Sequence, residues 1–435
     1  MLKRWLGKSK GAQTKLKPSL SLSPRPITVA ELRQLIPLRN FSEEELNAFA
    51  LTQKTETYAP GSILFEHGAT DSFVLYLLAG TVTMALNEAQ SYEVTAGMAK
   101  ARFPLSYGAS HSATAIAKTD VEVIRVPAQV MHKNLSVQLK EDRLLDPNLW
   151  EVPPELKHSR LFQAFCQNFQ NEELKLPTLP DLAVRLRQAI ERDDIGIAEA
   201  AKIVQTDAAI AAKLLHVANS PLYLTAHPAK NCLEAINRLG LKATCNLVVL
   251  LCLRDVFTSQ DRFLYQKMRT VWQEAIHLSA LAYVLAKANC WDDPDAALLG
   301  GLICDLGAIP FLTFADGFPK THYQAAEIDL GLPIVCAPVG YYLLKRWGFP
   351  EELVRLPMLA TAWYYDSGPQ LTLSDLVILA KLHRLIETGR VAEVPAINSI
   401  PACSKLRDSR LSPEYSLKIL HDAKRQIQAT LTLLH

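Results

Sequence analysis

The chain has 435 residues, 49% of them hydrophobic, enough to bury two separate cores. Its 46 basic and 44 acidic side chains nearly cancel, so no overall field calls for a nucleic acid or a membrane as partner, and function has to come from local sites. Eight scattered cysteines with no CxxC pair argue against a disulfide scaffold and read as reduced thiols of a cytoplasmic protein.

Residues 1–26 carry Lys3, Arg4, Lys8, Lys10, Lys15, Lys17 and Arg25 with no acid, beside the small apolar cluster Leu2, Trp5 and Leu6. Two readings are open, a membrane-surface anchor and a disordered solubilising tail; the Ser, Pro and Gly content favours the tail. No signal-peptide core is present, and no apolar run is seen that reaches the roughly 20 residues of a transmembrane helix. Thr28 and Glu31 have the spacing of a capping box before Leu32, Leu35 and Ile36. Strands are expected from about Glu56, through Ile63-Leu64-Phe65, Ser72–Leu78, the alternating Thr81–Leu86 and Val121–Pro127. Short strands separated by glycine turns predict an antiparallel β-roll or jelly-roll barrel over residues 27–145.

Asp146-Pro147 and Val152-Pro153-Pro154 break the pattern, so residues 146–169 are read as a linker. Beyond them the period becomes helical, with stripes at Ile197–Val204, Ala208–Ala218, Leu233–Leu239, Ala243–Leu253, Val271–Ala288 and Pro294–Phe314. An all-α bundle is expected over residues 170–385, followed by a helical extension over 386–435 whose last helix, Pro413 to Leu434, is amphipathic. Gly240, Gly331 and Gly348 are expected at helix ends, Asp207 as an N-cap, and Asn219 as an amide that orients the next helix. Trp272, Trp347 and Trp363 are expected as core or interface anchors, since no basic strip accompanies them. The fold class is thus α+β multidomain, an N-terminal barrel and a C-terminal helical bundle.

Three segments of the barrel, Gly61–Gly68, Leu75–Val82 and Ser112–Asp120, resemble the cyclic-nucleotide-binding domain family in order and spacing. The resemblance implies a phosphate cassette in which a Gly-Glu pair precedes an Arg; the Arg pairs with the cyclic phosphate and the carboxylate holds the ribose hydroxyl. Here Ala101 and Arg102 stand at the Gly-Glu positions, and His111 stands where the Arg is expected. Those replacements remove the two interactions that recognise a cyclic nucleotide. Lys100, Arg102 and His111 remain as candidates for another nucleotide or anionic effector. The alternative is that they are solvated loop residues on a barrel kept as scaffold or dimerisation element, and that reading is preferred.

In the second half, Leu176–Pro180, Gln205–Leu215, Val217–Tyr223, Ala235–Gly240, Trp272, Leu299–Gly307 and Gly340–Pro350 resemble the HDOD family, relatives of the HD-type metal phosphohydrolases. The resemblance implies an HD-like helical fold and a role in bacterial signal transduction through protein partners. In the hydrolases, imidazoles and carboxylates surround one or two metal ions. The family's first His corresponds to Glu274, the His of its His-Asp doublet to Cys304 with Asp305 retained, and a later His to Cys336. Glu274 and His277 lie three residues apart on one helical face and contain, with Cys304 and Asp305, four legitimate metal-ligand types. Ordinary packing and hydrogen bonding account for the same residues. The expected function is therefore a non-enzymatic regulator without a cofactor. An altered metal-dependent phosphohydrolase and an anion-binding sensor are the alternatives, and a homodimer is compatible with each.

Overall fold

The structure, a computed structural model, describes residues 23–87, 90–107, 110–129, 139–191, 195–220, 223, 227–253 and 257–407. Most of the basic N-terminal segment and the Pro413–Leu434 helix lie outside the described residues. The chain divides into two compact units, and the division is not collinear with the sequence: Trp363–Asp366 and the stretch from Leu385 group with the barrel.

In the barrel unit, Thr28 caps helix α1 (Val29–Leu32) and Ser42 caps α2 (Glu43–Thr52). In each case the third helical residue, Glu31 or Glu45, reaches back to complete a capping box. Arg25, assigned from sequence to the disordered tail, is instead tied into the fold. Its guanidinium sits 2.7 Å from Glu31 and 2.9 Å from the buried Glu122, whose charge needs such a partner. Seven strands follow: β1 (Glu56–Tyr58), β2 (Ile63–Phe65), β3 (Phe73–Ala79), β4 (Thr81–Ala85), β5 (Ser91–Thr95), β6 (Thr114–Ala117) and β7 (Val121–Pro127). They form two antiparallel sheets, ordered β1-β7-β3 and β2-β6-β4-β5. Alternation along β4 and β6 turns Val82, Met84, Ala115 and Ala117 inward, where they meet Leu75, Leu77, Val121 and Val123 in one core. Gly80 joins β3 to β4 with φ +86°, and a Cβ there would stand 2.2 Å from the carbonyl oxygen of Asp120, so only glycine fits.

The return of the chain to the barrel has specific anchors. The Tyr364 ring lies edge-on to Tyr107 with centroids 5.0 Å apart, Lys405 pairs with Asp366 at 3.0 Å, and the Tyr92 hydroxyl donates to the Asn398 side chain at 2.9 Å. These contacts join parts of the chain assigned from sequence to the bundle and to a separate extension.

The helical unit contains α3 (Arg160–Gln170), α4 (Asp181–Glu191), α5 (Ile197–Val204), α6 (Ala208–Ala218), α7 (Cys232–Leu239) and α8 (Leu241–Leu253). It continues with α9 (Arg262–Ala288), α10 (Pro294–Ile303), α11 (Ala308–Asp316), α12 (Ala325–Arg346) and α13 (Leu373–Glu387), which belongs to this unit as far as Arg384. Asp207 caps α6 by accepting from the amides of Ala209 and Ile210. The Asn219 amide exchanges two hydrogen bonds with the Ala229 backbone, at 2.7 and 2.8 Å, and accepts a third from Arg238 on α7. Trp272 is buried against Phe257.

Three sequence expectations change. Gly331 lies inside α12 instead of at a helix end, because a Cβ there would press to 2.8 Å on Phe311. The single stripe expected over Pro294–Phe314 breaks at residues 304–307. Gly307 approaches the Cys336 carbonyl so closely that a Cβ would come within 2.1 Å of it. Two stretches, Pro294–Asp316 and Ala325–Arg346, do reach the length and apolarity of a membrane span by composition. Burial inside the bundle, of 83% of the most apolar 18 residues in the first and 50% in the second, explains much of that apolarity.

Gly301 sets how closely α10 packs on α9, since a Cβ there would fall 2.6 Å from the Ser279 Cα. Gly301→Ala is expected to lower unfolding free energy by about 1–3 kcal/mol, as overpacking does. Gly317→Ala, whose Cβ would sit 3.7 Å from the nearest atom, is expected to change it little. Thermal melts followed by far-UV circular dichroism compare the two.

Candidate functional site

Three pieces of the helical unit converge on the expected metal position. α9 carries Glu274 and, one turn on, the half-buried His277. The turn between α10 and α11 carries Cys304 and Asp305. α13 brings Lys381 and Arg384, three apart and so on one face. Arg384 grips Glu274 with two bonds, Nε to Oε2 at 2.7 Å and Nη2 to Oε1 at 2.6 Å, the bidentate geometry that suits guanidinium and carboxylate. Lys381 Nζ donates to Asp305 Oδ2 at 2.6 Å, with both side chains about one-fifth exposed.

The electrostatics follow. Arg384 holds the Glu274 carboxyl below its ordinary range against the opposing effect of burial, and His277 adds to the positive field. Burial works against the charge on Lys381, yet Asp305 beside it keeps the ammonium above its ordinary value. The Cys304 thiol donates to the Gly300 carbonyl at 3.0 Å, and burial, reinforced by Asp305, pushes it up out of the thiolate range. Burial and Asp305 do the same to Cys336 on α12. Zinc or iron would need thiolates and open carboxylates. Here burial and Asp305 disfavour the thiolates, and each carboxylate already has a cationic partner.

These residues do not fit a divalent metal. Each unit of positive charge brought to about 4 Å from the ammonium or guanidinium would be opposed by about 4 kcal/mol at an effective dielectric constant of about 20. Among the described residues, no three His, Cys, Asp or Glu side chains are grouped to hold an ion. Glu274, His277, Cys304 and Asp305 are therefore brought to one region but are engaged with other partners.

The barrel candidates separate. Lys100 and Arg102 lie on one 3-10 turn, Ala99–Arg102. Arg102 is exposed and its Nε reaches back to the Gln34 carbonyl at 3.3 Å, while burial lowers the Lys100 ammonium from its ordinary value. His111 is not a solvated loop residue. It is buried, stacked on Phe65 with centroids 4.1 Å apart, and clamped between Ser106 Oγ at 2.9 Å and Asp71 Oδ2 at 2.8 Å. Both ring nitrogens are thus committed within the barrel.

Residues 176–361 match the protein-family model described as HDOD domain. The chain carries an HDOD domain. Glu274, His277, Cys304, Asp305 and Cys336 fall inside that HDOD span, whereas Lys381 and Arg384 lie beyond it. A crystal structure from Shewanella amazonensis SB2B, named provisionally as a metal-dependent phosphohydrolase, is similar at 25% identity and a TM-score of 0.52 over 63% of this chain and 99% of that one. An uncharacterised protein of Treponema pallidum (strain Nichols) is 25% identical over 196 residues, 41% of this chain. The chain spans 36% of that curated relative's length. The N-terminal quarter is similar to a provisionally named cyclic nucleotide-binding protein of Geobacter metallireducens GS-15, at 18% identity and a TM-score of 0.21 over 26% of this chain and 83% of that one.

Sequence reasoning on the HDOD motifs missed Lys381 and Arg384, and with them the fate of both carboxylates. The available signal was two cations one turn apart, following the apolar run Leu376-Val377-Ile378-Leu379-Ala380. Asp71 and Ser106, the partners of His111, gave no comparable signal because they belong to no periodic pattern.

Two outcomes are expected. Lys381→Met leaves Asp305 without its partner and is expected to cost about 1–3 kcal/mol, whereas adding Asp305→Asn recovers part of the loss; denaturant titration of both variants measures the difference. Because the folded pKa of Glu274 is depressed, its contribution is present above the unfolded carboxylate value of about 4.3 and fades as pH falls below it. Glu274→Gln should therefore be less stable than the native chain at pH 7, with the gap closing as melts are taken to acid pH.

Proposed function

We propose that this chain is a non-enzymatic regulator of bacterial signal transduction, in which the HDOD bundle presents a surface to protein partners and the barrel serves as its regulatory or dimerisation module. The observation that carries this reading is the neutralisation of Glu274 by Arg384 and of Asp305 by Lys381 at the position where an HD hydrolase needs open metal ligands. A hydrolase of that type acts by polarising phosphate and generating hydroxide at its metal. The cations of α13 already engage those carboxylates and oppose the approach of a metal ion. The scattered cysteines, with no CxxC pair, are in keeping with a cytoplasmic setting, where thiols stay reduced.

The barrel fits a role other than cyclic-nucleotide capture, because the position of the phosphate-binding Arg is filled by a buried His111 with both nitrogens engaged. Purified chain prepared without chelator is expected to hold no stoichiometric manganese, zinc, iron or magnesium by elemental analysis. It is also expected to release no phosphate from cyclic or linear nucleotides when these metals are added. Metal-dependent turnover that disappears in Asp305→Ala would contradict the proposal.

A further inference from the structure

The cassette turn Ala99–Arg102 has a neighbour within the barrel unit that its resemblance to a ligand cassette does not foresee. The short helical turn Val391–Glu393 packs against it. A few residues on, Asn398 is fastened twice to the same side of the barrel. Its side chain accepts from the Tyr92 hydroxyl of β5 at 2.9 Å, and its carbonyl accepts from Ser112, the residue after His111. Both ends of the cassette, the turn at 99–102 and the return at 111–112, are therefore held by residues 391–398. Val394, Ser399, Ile400 and Ala402 around this point are buried, so the segment is a packed element and not a loose tail.

We infer that residues 391–403 are a strap that occupies the cassette face of the barrel in place of a small ligand. The grounds are the packing of Val391–Glu393 on the turn at 99–102 and the two bonds of Asn398 to Tyr92 and Ser112. An effector would act by competing with Asn398 for Tyr92 and Ser112, and the cassette would open only when the chain's own segment leaves it. The inference stands on the barrel unit alone, and holds for a catalytic or a non-catalytic bundle alike.

Hydrogen exchange followed by mass spectrometry on the full chain tests it. Tyr92→Phe removes one hydroxyl and one strap hydrogen bond. It is expected to accelerate exchange about two- to tenfold in residues 391–403 and in the cassette at 97–107. Acceleration in the strap with the cassette unchanged overturns the inference. The native chain supplies a second reading that does not depend on the variant. Cassette amides are expected to exchange no faster than those of the strap above them, and a cassette that opens faster than its strap overturns the inference equally.

Discussion

The pairing of Lys381 with Asp305 and of Arg384 with Glu274 ties α13 to the α10–α11 turn and to α9 by charge, at the place where an HD fold otherwise gathers metal ligands. Carboxylates turned into a bundle need counter-charge, since an isolated buried charge is far costlier than a paired one. An ion would meet that need from solution, whereas two side chains on α13 meet it from within the chain. This pairing holds both carboxylates in internal ion pairs. It also explains why Cys304 and Cys336 are tolerated there, because protonated thiols add no charge to a region already balanced.

The barrel shows a parallel substitution. Where a cyclic-nucleotide domain would hold an exposed guanidinium for phosphate, this chain has an imidazole whose two nitrogens face Ser106 and Asp71 and whose ring stacks on Phe65. In both units the architecture persists while the groups that would meet a ligand are turned to internal bonds. Fold is retained here independently of the residues that would serve a ligand, as function resides in sites and not in architecture.

Much of this architecture was legible in the sequence because it rests on local signals. The capping box at Thr28 and Glu31, the N-cap at Asp207 and the alternation along Thr81–Ala85 are short-range patterns, and each appears where those patterns put it. Site residues were legible as identities but not as partnerships. Glu274 and Asp305 were visible as ligand types, yet their engagement depends on Arg384 and Lys381, 110 and 76 residues away. The Gly331 expectation failed for a related reason. A glycine inside a helix and one at its end look alike until the aromatic ring it accommodates, Phe311, is in view. The return of residues 391–403 to the barrel was likewise invisible, since its contacts with Tyr92 and Ser112 span about three hundred positions.

The central claim, that two built-in cations stand where a metal would, is tested most directly by thermal melts of the native chain during titration with manganese or zinc and after exhaustive chelation. A ligand that binds only the folded state raises Tm in proportion to its occupancy. The account predicts a Tm that neither chelation nor added metal moves. A saturable rise with metal, reversed by chelator, would contradict it.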